Sequence, residues 1–269
     1  SSSMDNDCHR MKKLLIVLLS MYVILCLGLY LGQEKIFFDP HPLSPGQKFR
    51  MGEEIDIEVD DGVRLNTVFV DHPSERGLIL YFHGNRGNNR RCLRQLTSFA
   101  NSGYDWMMVD YRGYGKSSGR ITSQRQLYRD MMEVYRYALA RYRPEKIIIV
   151  GYSMGTGIAS YVASQQAPKE VVLVAPYLNF FQLKNKYLPI IPNFIIKYPL
   201  NNWKQVKAVD CPITIFHGTA DEVIPYAGAE RLAAANPDRI ELVPMDGVGH
   251  RGSIFRPEIR DHLLRPEFR

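Results

Sequence analysis

Residues 147–164 read IIIVGYSMGTGIASYVAS, which is an aliphatic run, a serine between two glycines, and a stretch of mostly small residues. A short continuous apolar run is typical of a strand buried in a parallel sheet, and the small residues are compatible with a helix. The pattern predicts a strand, a tight turn and a helix, with Ser153 in the turn. Gly151 and Gly155 are expected there because side chains at these positions would clash in so tight a turn.

Five further apolar runs occur along the chain, separated by segments with helical patterns. The clearest helix is predicted from Ser123 to about Tyr142, where Ser123 and Gln126 form a capping box and apolar residues recur on one face. A β-hairpin that turns at Asp60-Asp61-Gly62 is predicted before the first run. This alternation predicts an α/β fold with a mostly parallel central sheet covered by helices on both faces. The further runs are 78–82, 106–109, 171–174, 213–216 and 240–243.

Three polar residues follow strand ends, where sheets of this kind bind their ligands. A serine hydroxyl is a weak nucleophile near neutral pH and needs a histidine base held by a carboxylate. Asp221 follows the next-to-last run and His250 follows the last one. We therefore predict Ser153, Asp221 and His250 as nucleophile, acid and base. Glu222 and Asp246 are alternative acids, but the position at a strand end favours Asp221.

Acyl transfer to a serine also requires two backbone N–H groups that face the developing oxyanion. One is expected from Met154, the residue after the nucleophile. The other is expected from Asn85 in the loop His83-Gly84-Asn85, since Gly84 permits a close approach of the backbone. His83 is interpreted as a structural residue packed under this loop.

Composition and charge exclude several classes of protein. The 269 residues include 34 Lys and Arg against 28 Asp and Glu, a net charge of +6, and the apolar content is that of an ordinary globular protein. Disordered, collagen-like and disulfide-dense chains are therefore excluded. The four cysteines and seven histidines lack metal-ligand spacing, so we predict no metal and no cofactor. Nothing indicates nucleic acid as a partner, and nothing indicates an oligomeric state.

The N-terminus contains an apolar stretch, LLIVLLSMYVILCLGLYL at 14–31, behind Arg10, Lys12 and Lys13. Eighteen helical residues cover roughly 27 Å, just enough for a hydrocarbon core. The best candidate for a signal-peptide cleavage site is Cys26-Leu27-Gly28, which matches an Ala-x-Ala-like site poorly. This favours an uncleaved anchor. The basic residues before the stretch favour a cytoplasmic N-terminus and an extracytoplasmic catalytic domain.

These observations divide the chain into three parts. Residues 1–32 are predicted to be an N-terminal extension and a transmembrane signal-anchor, 33–50 a linker, and 51–269 the α/β domain. Within this domain, 176–210 is an insertion rich in large apolar residues and is predicted to be a small cap.

Three interpretations of the cap stay open: an acyl-binding lid over Ser153, a patch that rests on the bilayer, or a cover for the sheet edge. The lid interpretation makes Phe180, Phe181 and Phe194 candidate substrate-binding residues. A basic cluster after the predicted oxyanion loop could meet an anionic head group, or could be a solvated helix face. It consists of Arg86, Arg90, Arg91 and Arg94.

Three motifs carry a resemblance to a known superfamily: HGN at 83–85, DYRGYGKSSG at 110–119 and HGTADEVIP at 217–225. Over about residues 51–255 the chain resembles the α/β-hydrolase fold superfamily, and within it the membrane-anchored depalmitoylase-like and serine aminopeptidase-like hydrolases. The resemblance implies a serine hydrolase that cleaves carboxylic esters or thioesters of acylated or lipid-like small molecules through an acyl-enzyme. A serine peptidase-like hydrolase and a non-catalytic binding protein with this fold are the alternatives.

Overall fold

The computed structural model describes residues 2–74 and 76–265, in which one sheet of eight strands is accompanied by eight α-helices. The strands are β1 Glu53–Asp60, β2 Val63–Val70, β3 Leu78–Phe82, β4 Asp105–Val109, β5 Ile147–Tyr152, β6 Glu170–Val174, β7 Ile213–Gly218 and β8 Ile240–Met245. The helices are α1 Ser2–Phe37, α2 Asn89–Leu96, α3 Gln124–Leu139, α4 Gly155–Gln165, α5 Phe180–Tyr187, α6 Asn202–Val206, α7 Tyr226–Ala235 and α8 Pro257–Leu264.

The sheet has the order β1-β2-β4-β3-β5-β6-β7-β8 and is parallel from β4 to β8. Only β2 of the predicted hairpin runs in the opposite direction, because it pairs with both β1 and β4 in the antiparallel sense. Gly62 turns the hairpin with a φ of 69°, a left-handed conformation that glycine adopts without strain. The predicted α/β fold with a mostly parallel sheet is confirmed.

Helices cover both faces of the sheet, and each face has its own apolar core. Residues of α3, α4 and α7 pack on one face and residues of α2 and α8 on the other. Helix α3 begins as predicted, because the Ser123 hydroxyl accepts a hydrogen bond from the Gln126 N–H at 3.1 Å. The Gln126 side chain, however, accepts from the N–H of Thr122 rather than from that of Ser123.

The segment predicted as a linker, 33–50, differs from that expectation. Helix α1 continues to Phe37, and both Gln33 and Phe38 are buried against the rest of the chain. Further along, Leu43 donates its N–H to the Gly115 carbonyl at 2.7 Å. The polar residues after the apolar stretch look like a linker in the sequence because their partners are distant along the chain, from 46 residues for Asp39 and Asn85 to 162 for Gln33 and Ile195.

Candidate active site

Ser153 stands in the tight turn between β5 and α4, with a positive φ of 51°. Both flanking glycines are required by contacts with the backbone. A Cβ at Gly155 would lie 2.1 Å from the Phe82 carbonyl oxygen, and one at Gly151 would lie 2.7 Å from that of Gly155. The turn therefore holds Ser153 in a strained conformation at the carboxyl edge of the sheet.

A chain of hydrogen bonds links Ser153 to His250 and Asp221. The Ser153 hydroxyl lies 3.1 Å from Nε2 of His250, and Nδ1 of the same ring lies 2.8 Å from the Asp221 carboxylate. The other carboxylate oxygen accepts the N–H groups of Val223 and Ile224. This geometry can transfer a proton from the serine to the imidazole while the carboxylate fixes the ring.

The electrostatics keep Asp221 ionised. Burial of the carboxyl group would raise its pKa, but hydrogen bonds from His217, from His250 and from the Ile224 N–H outweigh that effect. The pKa of Asp221 is therefore held well below its ordinary value. A carboxylate that stays charged orients the His250 ring and stabilises its protonated form.

The two alternative acids lie elsewhere. Glu222 accepts the backbone N–H of His250 at 3.3 Å, and Asp246 accepts the hydroxyl of Thr219 at 3.2 Å. Neither carboxylate is bonded to the imidazole ring of His250. Among the three candidate acids, only Asp221 is placed to hold that ring.

The loop of the predicted oxyanion hole passes beside Ser153. A Cβ at Gly84 would lie 3.4 Å from that of Ser153, an ordinary van der Waals contact, so the loop backbone lies directly beside the serine. The side-chain oxygen of Asn85 accepts the Asp39 N–H at 2.9 Å and the Tyr114 hydroxyl at 3.1 Å, which fixes the loop. Met154 and Asn85 both line the cavity described below. Their roles as oxyanion donors stay a prediction.

His83 is buried beneath this loop. Its Nδ1 lies 2.7 Å from the Gly84 carbonyl oxygen, and its ring packs against that of Tyr111 at 4.2 Å between centroids. Burial lowers the pKa of His83 to about 4, whereas burial raises the pKa of the neighbouring Asp110 to about 7. A histidine that remains neutral and enclosed in this way supports the loop and is a poor base.

A cavity of about 790 Å³ opens at Ser153 and His250. Its volume is in the upper part of the range for small-molecule sites, and its walls are mostly apolar. The cap forms one wall, and the end of α1 forms another. The cap contributes Phe180, Leu183, Leu188, Ile191 and Ile195, and α1 contributes Leu29, Ile36 and Phe37.

Of the three candidate substrate-binding residues, one lines the cavity and two lie outside its lining. Phe180 is buried, lines the cavity and packs its ring 5.1 Å from that of Phe37. Phe181 is half-buried outside the cavity lining, and Phe194 is 87% exposed at the tip of the cap. The aromatic residues of the cap follow no regular period, so the sequence does not reveal which side of this short, proline-broken segment faces Ser153.

The four arginines of the predicted basic cluster also do not lie together. Arg86 and Arg91 line the cavity, but both already have partners. Arg86 pairs with Asp39 at 2.6 Å, and Arg91 donates to the Arg86 carbonyl oxygen at 2.7 Å. Arg90 and Arg94 lie outside the cavity lining, so the four arginines do not form one site for an anionic group.

Sequence reasoning missed the residues that join α1 to the cap. Gln33 donates to the Ile195 carbonyl oxygen at 2.7 Å and accepts the Lys197 N–H at 2.8 Å. Glu34 accepts the Tyr198 hydroxyl and pairs with Lys197, each at 2.7 Å. The available signal was a pair of hydrogen-bonding residues directly after the apolar stretch.

Comparisons with known proteins agree with this architecture. A family profile described as serine aminopeptidase, S33 matches residues 73–202. An uncharacterized protein of Mycobacterium tuberculosis is 28% identical over 219 residues, which is 78% of this chain and 75% of the relative. The lysophosphatidylserine lipase ABHD12 of Danio rerio is 28% identical over 209 residues, 66% of this chain and 54% of that lipase.

Among solved structures, the esterase Pf2001 of Pyrococcus furiosus has a TM-score of 0.66 at 19% identity. The match covers 84% of this chain and 95% of the esterase, so the shared fold extends over nearly all of that enzyme. The chain has the α/β-hydrolase fold, and its segment 73–202 resembles the serine aminopeptidases.

Proposed function

We propose that this protein is a serine hydrolase that cleaves carboxylic esters or thioesters of acylated, lipid-like molecules. The observation that carries the proposal is the hydrogen-bonded series Ser153, His250 and Asp221 at the mouth of an apolar cavity. The esterase fold and the lipase relative support hydrolytic chemistry.

In the proposed mechanism, the Ser153 hydroxyl attacks the acyl carbonyl carbon while Nε2 of His250 takes its proton. Asp221 holds the imidazolium through Nδ1. The N–H groups of Met154 and Asn85 stabilise the oxyanion. His250 then protonates the leaving alcohol or thiol. Water, deprotonated by the same ring, releases the acid from the acyl-enzyme and restores Ser153.

The cavity supports an acyl substrate because its walls are apolar on both the cap side and the α1 side. Each methylene group buried there contributes about 0.8 kcal/mol, so kcat/KM is expected to rise several-fold for every two carbons added until the cavity is filled. Purified full-length protein in detergent, assayed with soluble esters of increasing chain length, measures this rise.

Phe180→Ser is expected to flatten the rise while turnover of the acetate ester persists. Phe194→Ser is the matched control, since this side chain lies outside the cavity and should leave the profile unchanged in detergent. A wild-type profile that peaks at acetate and falls steadily would contradict the acyl-binding role of the cavity.

The serine aminopeptidase profile makes an amide substrate the specific alternative. A matched ester, thioester and peptide amide with the same acyl group distinguish the two. We expect kcat/KM for the ester and thioester to exceed that for the amide at least tenfold, and a preference for the amide would favour the peptidase function.

We propose in addition that α1 is an uncleaved anchor with the catalytic domain on the extracytoplasmic side. The window of α1 richest in apolar residues has a mean hydropathy of 2.7, and none of its residues is fully buried. We expect the full-length protein to stay in the membrane pellet after alkaline carbonate extraction. Release into the supernatant, with an N-terminus near Leu29, would show cleavage and contradict the anchor.

A further inference from the structure

The cap approaches the apolar part of α1 and not only its polar end. The Tyr22 hydroxyl donates to the Ile190 carbonyl oxygen at 2.6 Å. Tyr22 lies nine residues before Leu31, the last residue of the apolar stretch. Nine residues span roughly 13 Å of helix axis, so this contact lies inside the layer that the apolar stretch would cross.

One face of α1 is turned toward the cap over this whole length. Tyr22, Cys26, Leu29, Gln33 and Phe37 follow one another at intervals of three or four residues, the spacing of one helix face. From Cys26 onward these residues are partly or fully buried, whereas most apolar residues around them are exposed. The cap therefore lies alongside α1 from the polar C-terminal end of the helix back to Tyr22.

The tip of the cap, residues 187–194, has the composition of a segment that enters lipid. It reads YLPIIPNF and contains no charged residue. Four of its side chains are exposed apolar groups, which would cost free energy if they faced water. They are Tyr187 at 59%, Leu188 at 45%, Ile190 at 68% and Phe194 at 87% exposed.

Part of the tip's backbone already has the internal partners that polar groups need in a medium without water. Pro189 and Pro192 have no N–H to satisfy. The carbonyl oxygen of Ile190 is paired with Tyr22, and that of Ile191 accepts the ammonium group of Lys184. Lys184, Lys186 and Lys197 flank the tip on its chain, an arrangement typical of interfacial segments.

The active-site cavity reaches the same region. Leu29, which belongs to the apolar stretch, lines the cavity together with Leu188 of the tip and Ser153. We propose that the tip 187–194 inserts into the hydrocarbon layer beside α1, so that the acyl chain of a membrane-resident ester enters the cavity sideways from that layer. This inference rests on the proposed serine hydrolase function for the substrate and on the anchoring of α1 for the location.

Insertion is tested on the full chain in phosphatidylcholine vesicles that contain brominated acyl chains, which quench nearby tryptophan. We expect Phe194→Trp to show quenching well above that of the wild type, whose Trp106 and Trp203 are present in every variant. Tyr137→Trp is the control. This position is exposed near the C-terminal end of α3, and a tryptophan there should add no quenching. Equal quenching at positions 194 and 137 would overturn the insertion.

Lateral entry is tested with Phe194→Asp, since a charge at an inserted position opposes burial in hydrocarbon. We expect kcat/KM for a long-chain ester embedded in vesicles to fall about tenfold or more, mainly through KM, while turnover of a soluble short-chain ester is unchanged. Phe194→Leu should retain the vesicle activity. An unchanged vesicle activity in Phe194→Asp would overturn lateral entry.

The two proposals fail in different ways. If the serine hydrolase function is wrong, the wild type hydrolyses neither the soluble nor the embedded ester, while the quenching measurement still reports on the tip. If only the lateral entry is wrong, both esters are hydrolysed and the Phe194→Asp variant treats them as the wild type does.

Discussion

Ser153→Ala is expected to lower kcat for a short-chain ester by about six orders of magnitude, because attack by an activated serine is replaced by unassisted attack of water. The fold should persist, since the hydroxyl bonds to the His250 ring and not to a group of the core. Steady-state hydrolysis together with thermal unfolding measures both quantities. Turnover near that of the wild type would remove Ser153 from the mechanism.

Asp221→Asn is expected to lower kcat by about four orders of magnitude. An amide at this position preserves the shape of the side chain but favours the wrong tautomer of His250 and no longer stabilises its protonated form. Glu222→Gln and Asp246→Asn are matched controls that remove one charge each from the two alternative acids. Both should stay within about threefold of the wild type, because neither carboxylate is bonded to the imidazole ring.

The same three variants distinguish the acids from one another. A loss of four orders of magnitude in Glu222→Gln, with a mild effect of Asp221→Asn, would transfer the role of the acid to Glu222. Thermal unfolding of all three variants shows whether the loss comes from altered chemistry or from an altered fold.

The fold was predictable because its signals are local. The continuous apolar runs mark strands buried on both faces, and the Ser123 cap marks the start of α3 within a few residues. The positions of Gly151 and Gly155 follow from steric limits that apply to any tight turn between a strand and a helix. The order of the strands was not predicted, since β3 and β4 exchange places through contacts that no local pattern encodes.

The candidate site was predictable where residues follow strand ends. Asp221 and His250 could be named because parallel strands bring their carboxyl ends to one edge of the sheet. The cap could not be resolved in the same way. Its prolines interrupt any helical period, so that Phe180 inside the cavity and Phe194 outside it have similar sequence surroundings.

The partners of α1 in the cap could not be predicted from the sequence. Gln33 and Glu34 have the composition of a linker, and their partners at Ile195, Lys197 and Tyr198 lie more than 160 residues away. Pairing over such a distance depends on how the cap folds back on the helix. Neither composition nor periodicity contains that information.

Covalent labelling with a fluorophosphonate, followed by peptide mass mapping, tests whether Ser153 is the nucleophile. We expect one adduct per chain on the peptide that contains Ser153, no adduct in Ser153→Ala, and labelling slowed by orders of magnitude in His250→Ala. An adduct on a different residue, or undiminished labelling of Ser153→Ala, would contradict the account.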